Sequence, residues 1–98
     1  MPALPHAARL HIRVKGRVQG VGFRAHVEYS ARQLGVTGWV RNVGYDTVEA
    51  VAEGERPKLE QLAEAIQAGP RGSHVDEAQV EWLDATGEFQ GFTVRRSV

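Results

Sequence analysis

The chain has 98 residues, enough for one domain and short for two. Its 12 lysines and arginines balance 12 aspartates and glutamates, so no global field draws it to nucleic acid or an anionic membrane, and any anion site must be local. It lacks cysteine, which rules out disulfides, thiolate metal sites and cysteine nucleophiles and fits a reducing compartment.

The opening "MPALPHAARL" has no charged region followed by an apolar run, so no signal peptide is expected. No apolar run approaches the length of a membrane span, and a cytoplasmic soluble protein is the expectation. Residues Met1 to Ala7, with two prolines and little pattern, read as a loose tail on a single domain spanning residues 1–98. "ARLHIRVK" alternates, with Leu10, Ile12 and Val14 on one side and Arg9, His11, Arg13 and Lys15 on the other. That is a half-buried strand whose basic side reads as a solvated edge or face.

After Gly16, Gly20 and Gly22 the period changes. Phe23, Val27, Ala31 and Leu34 fall at helical spacing, with Gly35 placed as the C-terminal cap. "VTGWVRNV" is β-branched and aromatic, hence strand-like. "GYD" turns the chain, and "TVEAVAEG" alternates through Val48, Ala50 and Ala52. Leu59, Leu62 and Ile66 mark a second helix, with Pro57 in its first turn and Gly69-Pro70 ending it. Glu53 and Glu55 are read as acidic residues flanking that helix start, where the dipole favours them. Ala78, Val80 and Trp82 alternate in a fourth strand, and "GFTVRR" supplies a short final one.

The order β-α-β-β-α-β predicts an α+β fold, a ferredoxin-like sandwich. Its sheet is mainly antiparallel, with two helices on one face and a short C-terminal strand. The first crossover leaves its two strands parallel, with "TVEAVAEG" running between them in the opposite sense. Their ends then point the same way about 10 Å apart, which sets Gly16 to Arg24 beside Asn42.

Gly16, Gly20 and Gly22 permit positive φ and close backbone approach to a ligand. The loop feeds a helix N-terminus, where unpaired N–H groups and the dipole favour an anion. Arg24 lies in the first helical turn, where a positive charge opposes the dipole. An anion held between the guanidinium and the amides resolves that conflict, and the planar fork suits two phosphate oxygens. As a bare connection, the same loop would need none of this.

"GVGFRA" matches a G-x-G-x-x-A dinucleotide fingerprint, but that pattern needs a doubly wound parallel sheet. No G-K-[ST] follows, which excludes a Walker A loop. An RNA-recognition domain stacks bases on aromatics of its central strands, and "LHIRVK" and "TVEAVAEG" contain none. His6, His11, His26 and His74 show no metal-ligand spacing, and Ser30 and Ser73 lack a histidine–acid arrangement. What remains has no evident nucleophile, base or metal. Asn42 can orient a water through its amide but cannot deprotonate it. Such a site suits phosphoryl transfer from a mixed anhydride, whose leaving carboxylate needs no general acid. A non-catalytic phosphate- or anion-binding regulatory module would use the same loop and arginine and give Asn42 no duty.

"VKGRVQGVGFR", Val14 to Arg24, resembles the first signature of the acylphosphatase family, and "GWVRN", Gly38 to Asn42, is similar to the second. The likeness runs from Leu10 through "GFTVRR", the size of the free-standing enzyme. It implies the ferredoxin-like fold and hydrolysis of acyl phosphates to carboxylate and phosphate without a metal or cofactor. By the resemblance Arg24 corresponds to the phosphate-binding arginine and Asn42 to the asparagine that positions water. The backbone of Gln19, Gly20, Val21, Gly22 and Phe23 corresponds to the phosphate cradle. The implied partner is a small acyl phosphate, with no nucleic acid or membrane, and nothing requires more than a monomer. A domain inside a larger carbamoyl-transfer enzyme is the less economical alternative at this length. One position departs: Asp46 stands where the family usually has a glycine, so the turn after Asn42 must bend through Gly44 or through the tolerance of Asp for positive φ.

Overall fold

A computed structural model describes residues 7–98, so the tail expected over Met1 to Ala7 lies outside the described residues except for Ala7 itself, which opens the first strand. The elements run β1 (Ala7–Arg17), α1 (Phe23–Leu34), β2 (Thr37–Val43), β3 (Thr47–Glu55), α2 (Arg56–Ala68), β4 (His74–Asp84) and β5 (Phe92–Val94). The sheet order is β4-β1-β3-β2-β5, antiparallel throughout except for the parallel β2–β5 pair. β1 and β2 are therefore parallel and separated by β3, which is the split β-α-β arrangement expected from the sequence. No helix among the described residues is long and apolar enough to cross a membrane.

Alternation builds the core. Leu10, Ile12 and Val14 of β1 and Val48, Ala50 and Ala52 of β3 are fully buried and meet the helical stripes. α1 contributes Phe23, Val27 and Ala31, and α2 contributes Leu59, Leu62 and Ile66. Each buried Leu, Ile or Phe side chain is worth about 1.5–3 kcal/mol in transfer from water, so these two stripes clamp both helices onto one face. Gly35 closes α1 at φ 71°, and its N–H donates to the Arg32 carbonyl. Pro57 lies in the first turn of α2, as its missing N–H allows.

The opposite face corrects two expectations. β1 is an interior strand, and its basic side is not simply solvated: it pairs with acidic residues in the other phase of β3. Glu49 is only 3% exposed and accepts from His11 at 2.6 Å, Arg13 at 3.0 Å and Arg41 at 2.9 Å. Glu53, placed by sequence near a helix start, is a buried strand residue bonded to Arg9 at 2.7 Å. Its carboxylate also accepts from the Thr86 and Gly87 amides, both at 2.9 Å. Because β4 and β5 lie at opposite edges, residues 85–91 must cross about 19 Å of sheet. Glu53 and Arg9 hold that crossing, Arg9 also bonding Glu88 and stacking on Phe89 at 4.9 Å.

Burial alone would raise the pKa of both carboxyls. The donors more than offset it: His11, Arg41 and Arg13 hold Glu49 below its ordinary value, and Thr86, Gly87 and Arg9 do the same for Glu53. Both pKa values are depressed on folding, so the stability they contribute is complete above the unfolded carboxyl value of about 4.3 and drains away as pH falls through the folded values. Thermal melts are expected to be flat from pH 7 to about 5 and to drop steeply below. Glu49→Ala should cost about 2 kcal/mol at pH 7, less than a fully buried pair because Arg13 stays half in water. An unchanged acid limb in Glu49→Ala/Glu53→Ala would show that other groups set the acid transition.

Candidate active site

β1 ends at Arg17, and residues 19–22 form a run of bends before α1. The three glycines of this region do two different jobs. Gly20 and Gly22 sit at φ 74° and 76°, with nothing near a Cβ added to either, so backbone sign is their reason. Gly16 instead belongs to β1, at an irregularity in its pairing with β4, where a Cβ would overlap the His74 carbonyl oxygen. Its glycine serves the sheet, which corrects its assignment to ligand approach.

Gly22 caps α1 with left-handed backbone and no side-chain bond. Among the described residues, the backbone N–H groups of residues 19–25 donate no hydrogen bond to another backbone group. The first such bond comes from His26, whose N–H donates to the Gly22 carbonyl at 3.0 Å. Several main-chain donors are thus left free at the positive end of a helix dipole.

A surface depression of about 320 Å³ collects these groups. Gln19, Gly20, Gly22 and Phe23 line it on the loop side, Arg24 stands at the helix start, and Asn42 enters from β2. The structure therefore brings Arg24 and Asn42 to one cavity although 17 residues lie between them in sequence. Val21 is the exception among the expected loop residues: its side chain packs against the core, leaving only its backbone to the loop. Arg24 is partly buried and forms no ion pair among the described residues, so its guanidinium is available to an anion. Among the described residues no group of three His, Cys, Asp or Glu could hold a metal ion.

Ala25, Glu28 and Val94 also line the depression and were missed by sequence reasoning. Glu28 could have been found, since it follows Arg24 by one helical turn; Arg32 pairs with it at 3.1 Å. Val94 comes from β5, and only the β2–β5 pairing brings it near.

The turn after Asn42 bends at Gly44, with φ 61°. Asp46 does not aim at the depression. Its carboxylate accepts from the Thr47 hydroxyl at 3.0 Å and lies 3.7 Å from the Lys15 ammonium, while its carbonyl accepts the Gly16 N–H at 2.9 Å. The position that departs from the family pattern is thus absorbed by β1.

A family model described as acylphosphatase matches residues 10–94. An acylphosphatase of Salinibacter ruber is 50% identical over 90% of this chain and 93% of its own length. The crystal structure of acylphosphatase from Bacillus subtilis superposes with TM-score 0.86 at 34% identity, covering 90% of this chain and 98% of that one. An acylphosphatase structure from Coxiella burnetii gives TM-score 0.85 at 37% identity, over 92% of this chain and 94% of that one.

Proposed function

This chain belongs to the acylphosphatase family and hydrolyses acyl phosphates, and we propose that it does so by direct attack of a water that Asn42 orients on a phosphoryl group held by Arg24 and the 19–23 loop. The carrying observation is that Arg24 and Asn42, from separate elements, stand on the walls of one depression beside unpaired main-chain amides. Two oxygens of the phosphoryl group meet the guanidinium fork, and the N–H groups of Gln19 through Phe23 take the others. Val21 contributes through its backbone alone. Charge accumulating in the transition state therefore falls between a fixed cation and a helix dipole, without reorganisation of solvent.

The Asn42 amide oxygen accepts a hydrogen bond from the incoming water and aligns the water oxygen with phosphorus. The new P–O bond forms as the bond to the acyl oxygen breaks. That electron pair leaves on a carboxylate, a weak base that needs no protonation, and the proton of water passes to a phosphate oxygen or to solvent. Positioning and charge stabilisation are sufficient for such a leaving group, and no metal or cofactor enters. The acyl part lies over Ala25 and Val94 in a shallow site, which suits broad tolerance. The working form is taken to be a cytoplasmic monomer, since one chain supplies every group and its lack of cysteine suits a reducing compartment. A small acyl phosphate is the partner, in preference to nucleic acid, because the balanced charge offers a polyanion no field.

The test is hydrolysis of a model acyl phosphate by purified protein in excess chelator. Turnover should be undiminished relative to metal-supplemented buffer. Loss of turnover on chelation, restored by a divalent ion, would overturn the metal-free mechanism; phosphate binding without turnover would select the anion-binding module instead.

A further inference from the structure

We propose that the Gln19 side chain is a positioning residue for hydrolysis, fixing the separation between the phosphate cradle and the turn that follows Asn42 at the end of β2; this rests on the reading of Asn42 as the group that orients water. The backbone of Gln19 belongs to the loop, but its side chain leaves the loop and reaches the β2–β3 turn. Its Nε2 lies 3.1 Å from the Gly44 carbonyl oxygen, 3.0 Å from that of Thr47 and 3.5 Å from that of Val43. All three neighbours are acceptors only, so the amide nitrogen, and not the oxygen, must face them. An NH₂ has two protons, and the two shorter contacts use both.

The need for this tie follows from the topology. β3 separates the strands that deliver loop and asparagine, so no ladder bond joins β1 to β2. No backbone hydrogen bond joins one of residues 19–22 to another, and Gly22 is held through its carbonyl to the helix, by the His26 N–H. The turn is secured elsewhere: the Gly16 N–H donates to Asp46, the Gly44 N–H donates to Val98 at 2.8 Å, and the Val98 N–H donates to the Asn42 carbonyl at 3.0 Å. Those bonds fix the turn to β1 and to the last residues. Only Gln19, among the side chains of residues 18–23, bonds the loop to the turn. In-line attack is steep in distance, a misplacement of about 1 Å costing up to about 10²-fold. A cradle free to drift from Asn42 would still bind phosphate but would present phosphorus to the water at the wrong range.

Gln19→Met keeps length and bulk and removes the two donors; Gln19→Ala gives a second variant, and thermal melts identify any that fails to fold. For the folded variants, kcat should fall about tenfold while KM and the inhibition constant for inorganic phosphate stay within about twofold. In an Asn42→Ala background, Gln19→Met should cost less than about twofold more, because the group it positions is already gone. Unchanged kcat, a phosphate inhibition constant that worsens in step with kcat, or a full tenfold further loss without Asn42 would each overturn the proposal. If Asn42→Ala alone leaves kcat intact, the underlying reading of Asn42 has failed and the inference falls with it, a result visible in that single variant without reference to Gln19.

Discussion

Arg24→Ala is expected to lower turnover of an acyl phosphate by about 10³-fold or more, the scale of a transition-state arginine in phosphoryl transfer. The loss should fall on both parameters. On the proposed mechanism the guanidinium meets the phosphoryl oxygens in the ground state, so KM and the inhibition constant for inorganic phosphate should rise. It meets them more strongly as charge gathers in the transition state, so kcat falls further. Arg24 has no ion-pair partner to strand among the described residues, and it sits at the positive end of α1, where its charge opposes the dipole. Its removal should therefore leave the melting temperature equal or slightly higher. Arg24→Lys, a point charge without the planar fork, should recover only a small part of the activity. Kinetics and phosphate inhibition measured beside a melt check all of this. Activity within tenfold of wild type would displace Arg24 from the centre of the site.

Asn42→Ala is expected to reduce kcat by about 10²-fold, with KM changed by no more than about threefold. An asparagine that aligns water contributes little to binding the phosphoryl group, because its partner in the ground state is solvent. Its value appears as the water closes on phosphorus. Asn42 is partly exposed and the backbone on either side of it is held by the β2–β3 ladder and by Val98, so the truncation leaves the strand in place. Steady-state kinetics with a model acyl phosphate separates the two parameters. A rise in KM with kcat preserved would make Asn42 a binding group and leave the water without an orienting partner.

Much of this site was legible because its parts announce themselves locally. A loop with Gly20 and Gly22 between a two-residue period and a 3.6-residue period can only join a strand to a helix, and Arg24 follows by counting. Asn42 needed one further step, the handed crossover that returns β2 parallel to β1. What stayed hidden depends on pairings that no stretch reveals by itself. The Gln19 side chain finds its acceptors 24 to 28 residues further along. Val94 enters through β5, a three-residue strand whose partner is set by the whole sheet. The open face was misread for a related reason. Alternation shows which side chains share a side, but not that Glu49 and Glu53 on β3 come into register with Arg13 and Arg9 on β1. The apolar phase of β3 supplies its helix-facing half, whereas Glu53 and Glu55 in the other phase read from sequence as residues flanking the helix that follows, and Glu49 stands out in neither reading. Gly16 shows the same limit at one residue, since a glycine's sequence context does not distinguish a turn from a close strand approach.

The insertion of β3 between the two strands that carry the site also has a temporal side. Arg24 and Asn42 both precede β3 in the chain, and the first crossover cannot close on itself, because the place beside β1 is reserved for a later segment. α1 can form early, yet the distance across which water must be delivered has no definition until a third strand fills the gap. Contacts this distant in sequence form slowly relative to helices. Catalytic competence is therefore a late property of the chain, and the return of activity after denaturation marks completion of the sheet, not the recovery of helix.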